Sequence, residues 1–111
     1  MTAVGRRVAS VIGLDPAGAA EYERLHTNVW EDVLRQISRS KIRNYSIYRY
    51  GDLLFSYYEY MGHDLDADLA AMAADPVTQR WWELCSPLQR PVPERASGEW
   101  WHVLDEVFHA D

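Results

Sequence analysis

Ile42-Arg43-Asn44-Tyr45-Ser46-Ile47-Tyr48-Arg49-Tyr50-Gly51-Asp52-Leu53-Leu54-Phe55-Ser56-Tyr57-Tyr58-Glu59-Tyr60 is the stretch on which the fold turns. Two runs rich in Tyr, Ile, Leu and Phe flank Gly51-Asp52. Aromatic and β-branched side chains suit a pleated, half-buried surface. A two-residue connection led by glycine is the signature of a type II′ hairpin turn. The stretch therefore predicts two antiparallel strands, joined at Gly51.

Working outward, Leu14-Asp15-Pro16 opens a helix, with Asp15 as N-cap and Pro16 at the first helical position. An apolar stripe of helical period then runs through Ala19, Tyr22, Leu25, His26, Val29, Trp30, Val33, Leu34 and Ile37. It predicts one continuous helix from residue 16 to about residue 39. Before it, weak alternation over residues 7–13 suits a strand. After the hairpin, Asp64 can cap a helical stretch carrying Leu65, Leu69, Met72 and Ala73, and Asp75-Pro76 repeats the cap-plus-proline start for a helix over residues 76–86. Three prolines between residues 87 and 98 mark an irregular connection. Alternation of Trp101, Val103, Asp105 and Val107 with His102, Leu104, Glu106 and Phe108 predicts a last strand. The order is βαββαβ, an α+β chain of the ferredoxin-like type, with an antiparallel sheet carrying its helices on one face. Such a sheet has a bare face, and a chain with five Trp, seven Tyr and two Phe is expected to cover it. The predicted assembly is a homodimer, a dimeric α+β barrel.

At 111 residues the chain is expected to form a single domain over residues 1–111. A net charge of -6, with Arg24, Arg35, Arg39, Lys41 and Arg43 scattered, argues against a phosphate-binding surface and hence against a nucleic-acid partner. No apolar run approaches the roughly 20 residues of a membrane span. With no recognisable leader, the expected compartment is the cytoplasm. One cysteine, Cys85, excludes an intramolecular disulfide and any cysteine-rich metal site. It is expected to be a buried, inert thiol.

Tyr22 and His26 lie four residues apart, on the apolar stripe of the first helix. An imidazole and a phenol aimed inward are either a hydrogen-bonded core pair or working groups in a pocket. Trp81-Trp82 falls on a short helix, where neighbours diverge by about 100°. Two indoles so placed can be core, or can form a wall and a corner of a cavity whose planes pack on the C–H face of a sugar. Trp100-Trp101 reads as packing or interface. His26, His63, His102 and His109 are scattered, and Asp64, Asp66 and Asp68 lack the glycine and glutamate of a calcium loop, so no metal site is expected. There is no glycine-rich phosphate loop and no nucleophile elbow, so nucleotide cofactors are unsupported.

Taken together these residues resemble the L-rhamnose mutarotases, small ferredoxin-like proteins that act as dimers. The matching pieces are Glu21-Tyr22 with His26 and Trp30-Glu31, then Asn44-Tyr45-Ser46-Ile47-Tyr48 and Leu54-Phe55. They continue with Asp75-Pro76 leading to Gln79-Arg80-Trp81-Trp82, and end with Glu106-Val107-Phe108-His109. Their order and separations cover nearly the whole chain. The resemblance implies an isomerase that exchanges the α and β anomers of a 6-deoxy sugar, with His26 matching the proton-donating histidine. Tyr22, Tyr45, Trp81 and Trp82 match positions that contact the sugar, and no cofactor is implied. Ring opening needs a donor and an acceptor near neutral pKa, which histidine supplies; water or a carboxylate such as Glu106 is a candidate for taking the anomeric proton. L-Fucose is the alternative sugar. Two other readings stay open at this level: a cofactor-independent ferredoxin-like monooxygenase and a non-catalytic sugar-binding module.

Overall fold

A computed structural model describes residues 5–111; the first four residues of the expected domain lie outside the described residues. Strand β1 (Arg6–Leu14) leads through a 3-10 turn (Pro16–Gly18) into helices α1 (Ala19–His26) and α2 (Glu31–Arg39). The hairpin β2 (Ile42–Tyr50) and β3 (Leu53–Tyr60) follows, then α3 (Leu65–Ala74) and α4 (Pro76–Cys85). Two short strands, β4 (Gln89–Arg90) and β5 (His102–Val103), complete the sheet. The strand order is β2-β3-β1-β4, with β5 also on β1, and every pairing is antiparallel. This is the ferredoxin-like arrangement expected from the element order. Among the described residues, no helix is long and apolar enough to cross a membrane.

Parity along β1 decides where the core lies. Val8, Ser10, Ile12 and Leu14 alternate onto one face, and Ile12 pairs with Leu54 while Ser10 pairs with Ser56. Tyr22 of α1, Val33 of α2, and Trp81 and Cys85 of α4 bury against Ile12, Leu14 and Leu54. Met72 of α3 joins Ile42 and Tyr60 in a second cluster. Three of the expected starts are capped as the side-chain chemistry demands. Asp15 accepts from Ala17 N, Asp64 from Ala67 N and Asp75 from Thr78 N.

The turn at Gly51 has φ +57, the left-handed conformation that a II′ first position requires, and Tyr50 pairs with Leu53 across it. A bulge lies farther along the hairpin. Between the pairs Arg43↔Glu59 and Ser46↔Tyr57, β2 has Asn44 and Tyr45 where β3 has only Tyr58. Asn44 takes φ 51, and its amide donates to Glu59 at 2.8 Å. The extra residue inverts the parity of the strand. Ile42 and Ile47 are five positions apart yet both face the helices, Ile42 opposite buried Tyr60 and Ile47 opposite buried Ser56.

Two expectations need correction. The helix predicted over residues 16–39 is broken at Thr27–Trp30. Thr27 Oγ1 donates to the Arg24 carbonyl at 2.7 Å, Thr27 N and Asn28 N make i→i−3 bonds, and Trp30 is extended at φ -59, ψ 137. Thr and Asn side chains compete for the backbone, and the apolar period continues through such a break unchanged. The last strand, predicted over residues 101–108, is reduced to His102–Val103, and an unexpected strand forms at Gln89–Arg90. Alternation makes a strand only where a partner ladder exists. Val107 and Phe108 find none among the described residues and are 96% and 83% exposed.

The segment before β5 is held by Glu99, whose carboxylate accepts from His102 Nδ1, Ala96 N and Val103 N. Led by the His102 bond, these hold its pKa down at about 2. A folded-state value below the unfolded one adds stability above the ordinary Glu pKa of about 4.3, lost as pH falls from there towards 2. Glu99→Gln is expected to lower the melting temperature at pH 6, and the gap to the parent protein should close as both are titrated to pH 2. At the bulge, Asn44→Val forces a β-branched residue to positive φ and is expected to cost about 1–3 kcal/mol in urea unfolding, whereas Asn44→Gly should stay within about 1 kcal/mol of the parent.

Candidate active site

Between the helix layer and the sheet lies a cavity of about 350 Å3, and Tyr22, His26, Tyr45, Trp81 and Trp82 all line it. They reach it from three elements. Tyr22 and His26 sit on one face of α1, His26 being its last residue before the break. Tyr45 is the residue after the bulge position on β2, and the indole pair comes from α4.

The Tyr22 and His26 rings stack at 4.3 Å between centroids with planes 26° apart, and the edge of Trp81 meets His26 at 5.3 Å. His26 Nδ1 lies 2.7 Å from the backbone carbonyl of Tyr22. A carbonyl can only accept, so the neutral ring carries its proton on Nδ1 and Nε2 is the free acceptor. Trp81 is buried, while Trp82 is 41% exposed. One indole is thus locked in the cavity wall and the other stands at its mouth.

Burial raises the phenols. Tyr22 is pushed up to about 12 by desolvation, with a hydrogen bond from Gln89 working in the opposite direction. Tyr45 is raised further, first by burial of its hydroxyl and then by the neighbouring Tyr22, Tyr58 and Cys85 groups. The residue as a whole is 42% exposed, so the hydroxyl end is the part withdrawn from water. Tyr45 meets Tyr58 edge to face at 5.8 Å. Both phenols stay protonated at working pH and act as neutral hydrogen-bonding groups. Cys85 is buried and raised by desolvation to about 11, which makes it the inert thiol expected.

Several residues at or beside the cavity had no site role assigned from the sequence. Gln89 is buried and bonds both Tyr22 and Trp100, partners 67 and 11 residues away in the chain. Trp100 and Trp101, read as packing or interface, also line the cavity. Trp30, in the helix break, meets Trp81 edge to face at 5.3 Å. Glu106, considered as a proton acceptor, is not brought to the cavity: it forms a forked ion pair with Arg7 at 3.0 Å. Among the described residues, no group of three or more His, Cys, Asp or Glu side chains is disposed to hold a metal ion.

The family model for L-rhamnose mutarotase matches residues 7–110. The L-rhamnose mutarotase of Phocaeicola vulgatus is 30% identical over 108 residues, covering 96% of this chain and 99% of that protein. That of Acidiphilium cryptum is 32% identical over 106 residues, with 93% and 96% covered. In fold, the chain is similar to the crystal structure of an L-rhamnose mutarotase from Formosa agariphila, with a TM-score of 0.73 at 18% identity, covering 96% of this chain and 99% of that one. Tetracenomycin F2 cyclase from Streptomyces glaucescens shares the same fold, with a TM-score of 0.67 at 19% identity and 95% of each chain covered. With the match running from β1 to the penultimate residue, the chain belongs to the L-rhamnose mutarotase family, isomerases that act on sugar anomers.

Proposed function

We propose that this mutarotase acts on a 6-deoxy sugar, L-rhamnose before L-fucose, and that His26 moves the proton that opens the ring. The observation that carries this reading is the bond from His26 Nδ1 to the Tyr22 carbonyl, which leaves Nε2 as the only basic nitrogen of a ring that lines the cavity. In the neutral ring Nε2 is bare, so the first step is acceptance: Nε2 takes the proton of the anomeric hydroxyl. The C1–O1 bond becomes a carbonyl, the C1–O5 bond breaks with its electron pair leaving on the ring oxygen, and the imidazolium returns the proton to that oxygen. O1 and O5 share C1, so one imidazole serves both. Rotation about the C1–C2 bond presents the other face of the aldehyde, and reversal of the steps recloses the ring as the opposite anomer. No net proton or electron is consumed.

Tyr22 and Tyr45 hold sugar hydroxyls, their raised pKa values suiting them to hydrogen bonding and not to proton transfer. Trp81 and Trp82 give flat apolar surface to the C–H face and C6 methyl of the sugar. The protein works as a homodimer in the cytoplasm. Support for the dimer comes from the side of the sheet away from the helices, where Tyr48 is 64% exposed, and from the terminal segment, where Phe108 is 83% exposed.

Saturation-transfer NMR of anomer exchange tests the chemistry. Positioned acid–base catalysis contributes about 10² to 10⁴-fold, so His26→Ala should lower the exchange rate at least about 10²-fold, and a wild-type rate in that variant overturns the mechanism. Across L-rhamnose, L-fucose and an ordinary hexose, L-rhamnose should exchange fastest. Light scattering at micromolar concentration should return twice the chain mass of 12.9 kDa, and a monomer overturns the dimer.

A further inference from the structure

Gln89 is buried in the cavity wall with both ends of its amide engaged. Trp100 Nε1 donates to Gln89 Oε1 at 2.7 Å, and Gln89 Nε2 donates to the Tyr22 hydroxyl oxygen at 3.1 Å. An indole N–H is a donor and nothing else. Turned over, the amide would set its NH2 against that N–H, so its orientation follows from Trp100 alone. The backbone around it is pinned as well. Gln89 pairs with Leu14 in the sheet, Asp15 N donates to the Leu88 carbonyl at 2.8 Å, and the Glu99 carboxylate fixes the segment that delivers Trp100.

A phenol oxygen that receives a hydrogen bond keeps its own proton for another acceptor. Among the described residues no protein acceptor takes the Tyr22 proton, and Tyr22 lines the cavity. We propose that Gln89, locked by Trp100, is a positioning residue that makes Tyr22 a one-way hydrogen-bond donor, so that the cavity selects a ligand presenting an oxygen lone pair to it. A hydroxyl or ring oxygen of a sugar meets that demand, whereas a donor-only group such as an ammonium does not. The inference rests on Tyr22 being a substrate contact, as proposed above. Buried and raised to about 12, the phenol retains its proton across the working range and gives a hydrogen bond, not a proton.

Gln89→Glu is close to isosteric and inverts the relay. A carboxylate has only acceptors, so it takes bonds from both Trp100 and the Tyr22 hydroxyl, and Tyr22 then turns lone pairs towards the ligand. Leaving or opposing a buried polar partner is expected to raise KM for L-rhamnose about tenfold or more, with kcat changed less. In a Tyr22→Phe background the same substitution should add little. Equal cost in the two backgrounds, or an unchanged KM, overturns the inference. Trp100→Phe, at a half-exposed position, frees the amide to turn and carries the same comparison if the carboxylate prevents folding: a several-fold rise in KM that vanishes with Tyr22→Phe supports the relay, and additivity overturns it. A readout without sugar separates this from the function. The Trp100 indole proton resonance should shift in Gln89→Leu and hold still in Tyr22→Phe; no shift in Gln89→Leu overturns the relay. A parent protein that accelerates no anomer exchange overturns the proposed function while leaving that resonance test intact.

Discussion

Eight consecutive antiparallel pairs join β1 to β3, from Arg6↔Tyr60 to Gly13↔Leu53, and they set which side chains of the sheet look towards the helices. A slip of β1 by one residue, with β3 in place, would send Ile12 and Leu14 to the bare face and bring Val11 inward. The ladder sits at the centre of the sheet, between β2 on one side and the two short strands on the other, so each outer element takes its register from it. Gln89 reaches the cavity because β4 pairs with the last two residues of β1. Tyr45 reaches it because β2 pairs with β3, through a bulge that lets Ile42 and Ile47 share a face despite their odd separation.

On this frame the site is assembled from aromatic surface and a few directed polar atoms. The hydrogen bonds run one way: a carbonyl that can only accept sets the tautomer of His26, and an indole that can only donate sets the amide of Gln89. Both are held by groups whose chemistry allows a single arrangement. Such preorganisation suits a reaction that needs proton transfer and orientation, since the groups need little rearrangement when a ligand arrives.

Legibility followed the range of the interactions. The hairpin was readable because its turn chemistry is local: glycine at the first turn position accepts φ +57 without a Cβ clash. Asp64 and Asp75 were readable as caps because each bonds a backbone N–H three residues on. The break between α1 and α2 was hidden, since the apolar period of the stripe runs through residues 27–30 unaltered. The terminal segment misled for the opposite reason: its alternation is that of a strand, but only His102 and Val103 find a ladder on β1.

The sequence by itself determined the element order, the helix caps, the alternation of β1 and the types of residue available to a site, including Tyr22 with His26 on one helical face. Those are consequences of backbone geometry and of contacts within a few residues. Only the tertiary structure decided that His26 ends a helix, that a bulge aims Tyr45, and that Gln89 joins Tyr22 to Trp100. The bulge and the Gln89 bridge depend on ladders or hydrogen bonds between separate segments, whose partners no local pattern records. The helix end rests on short-range bonds of Thr27 and Asn28 that the apolar period does not reveal.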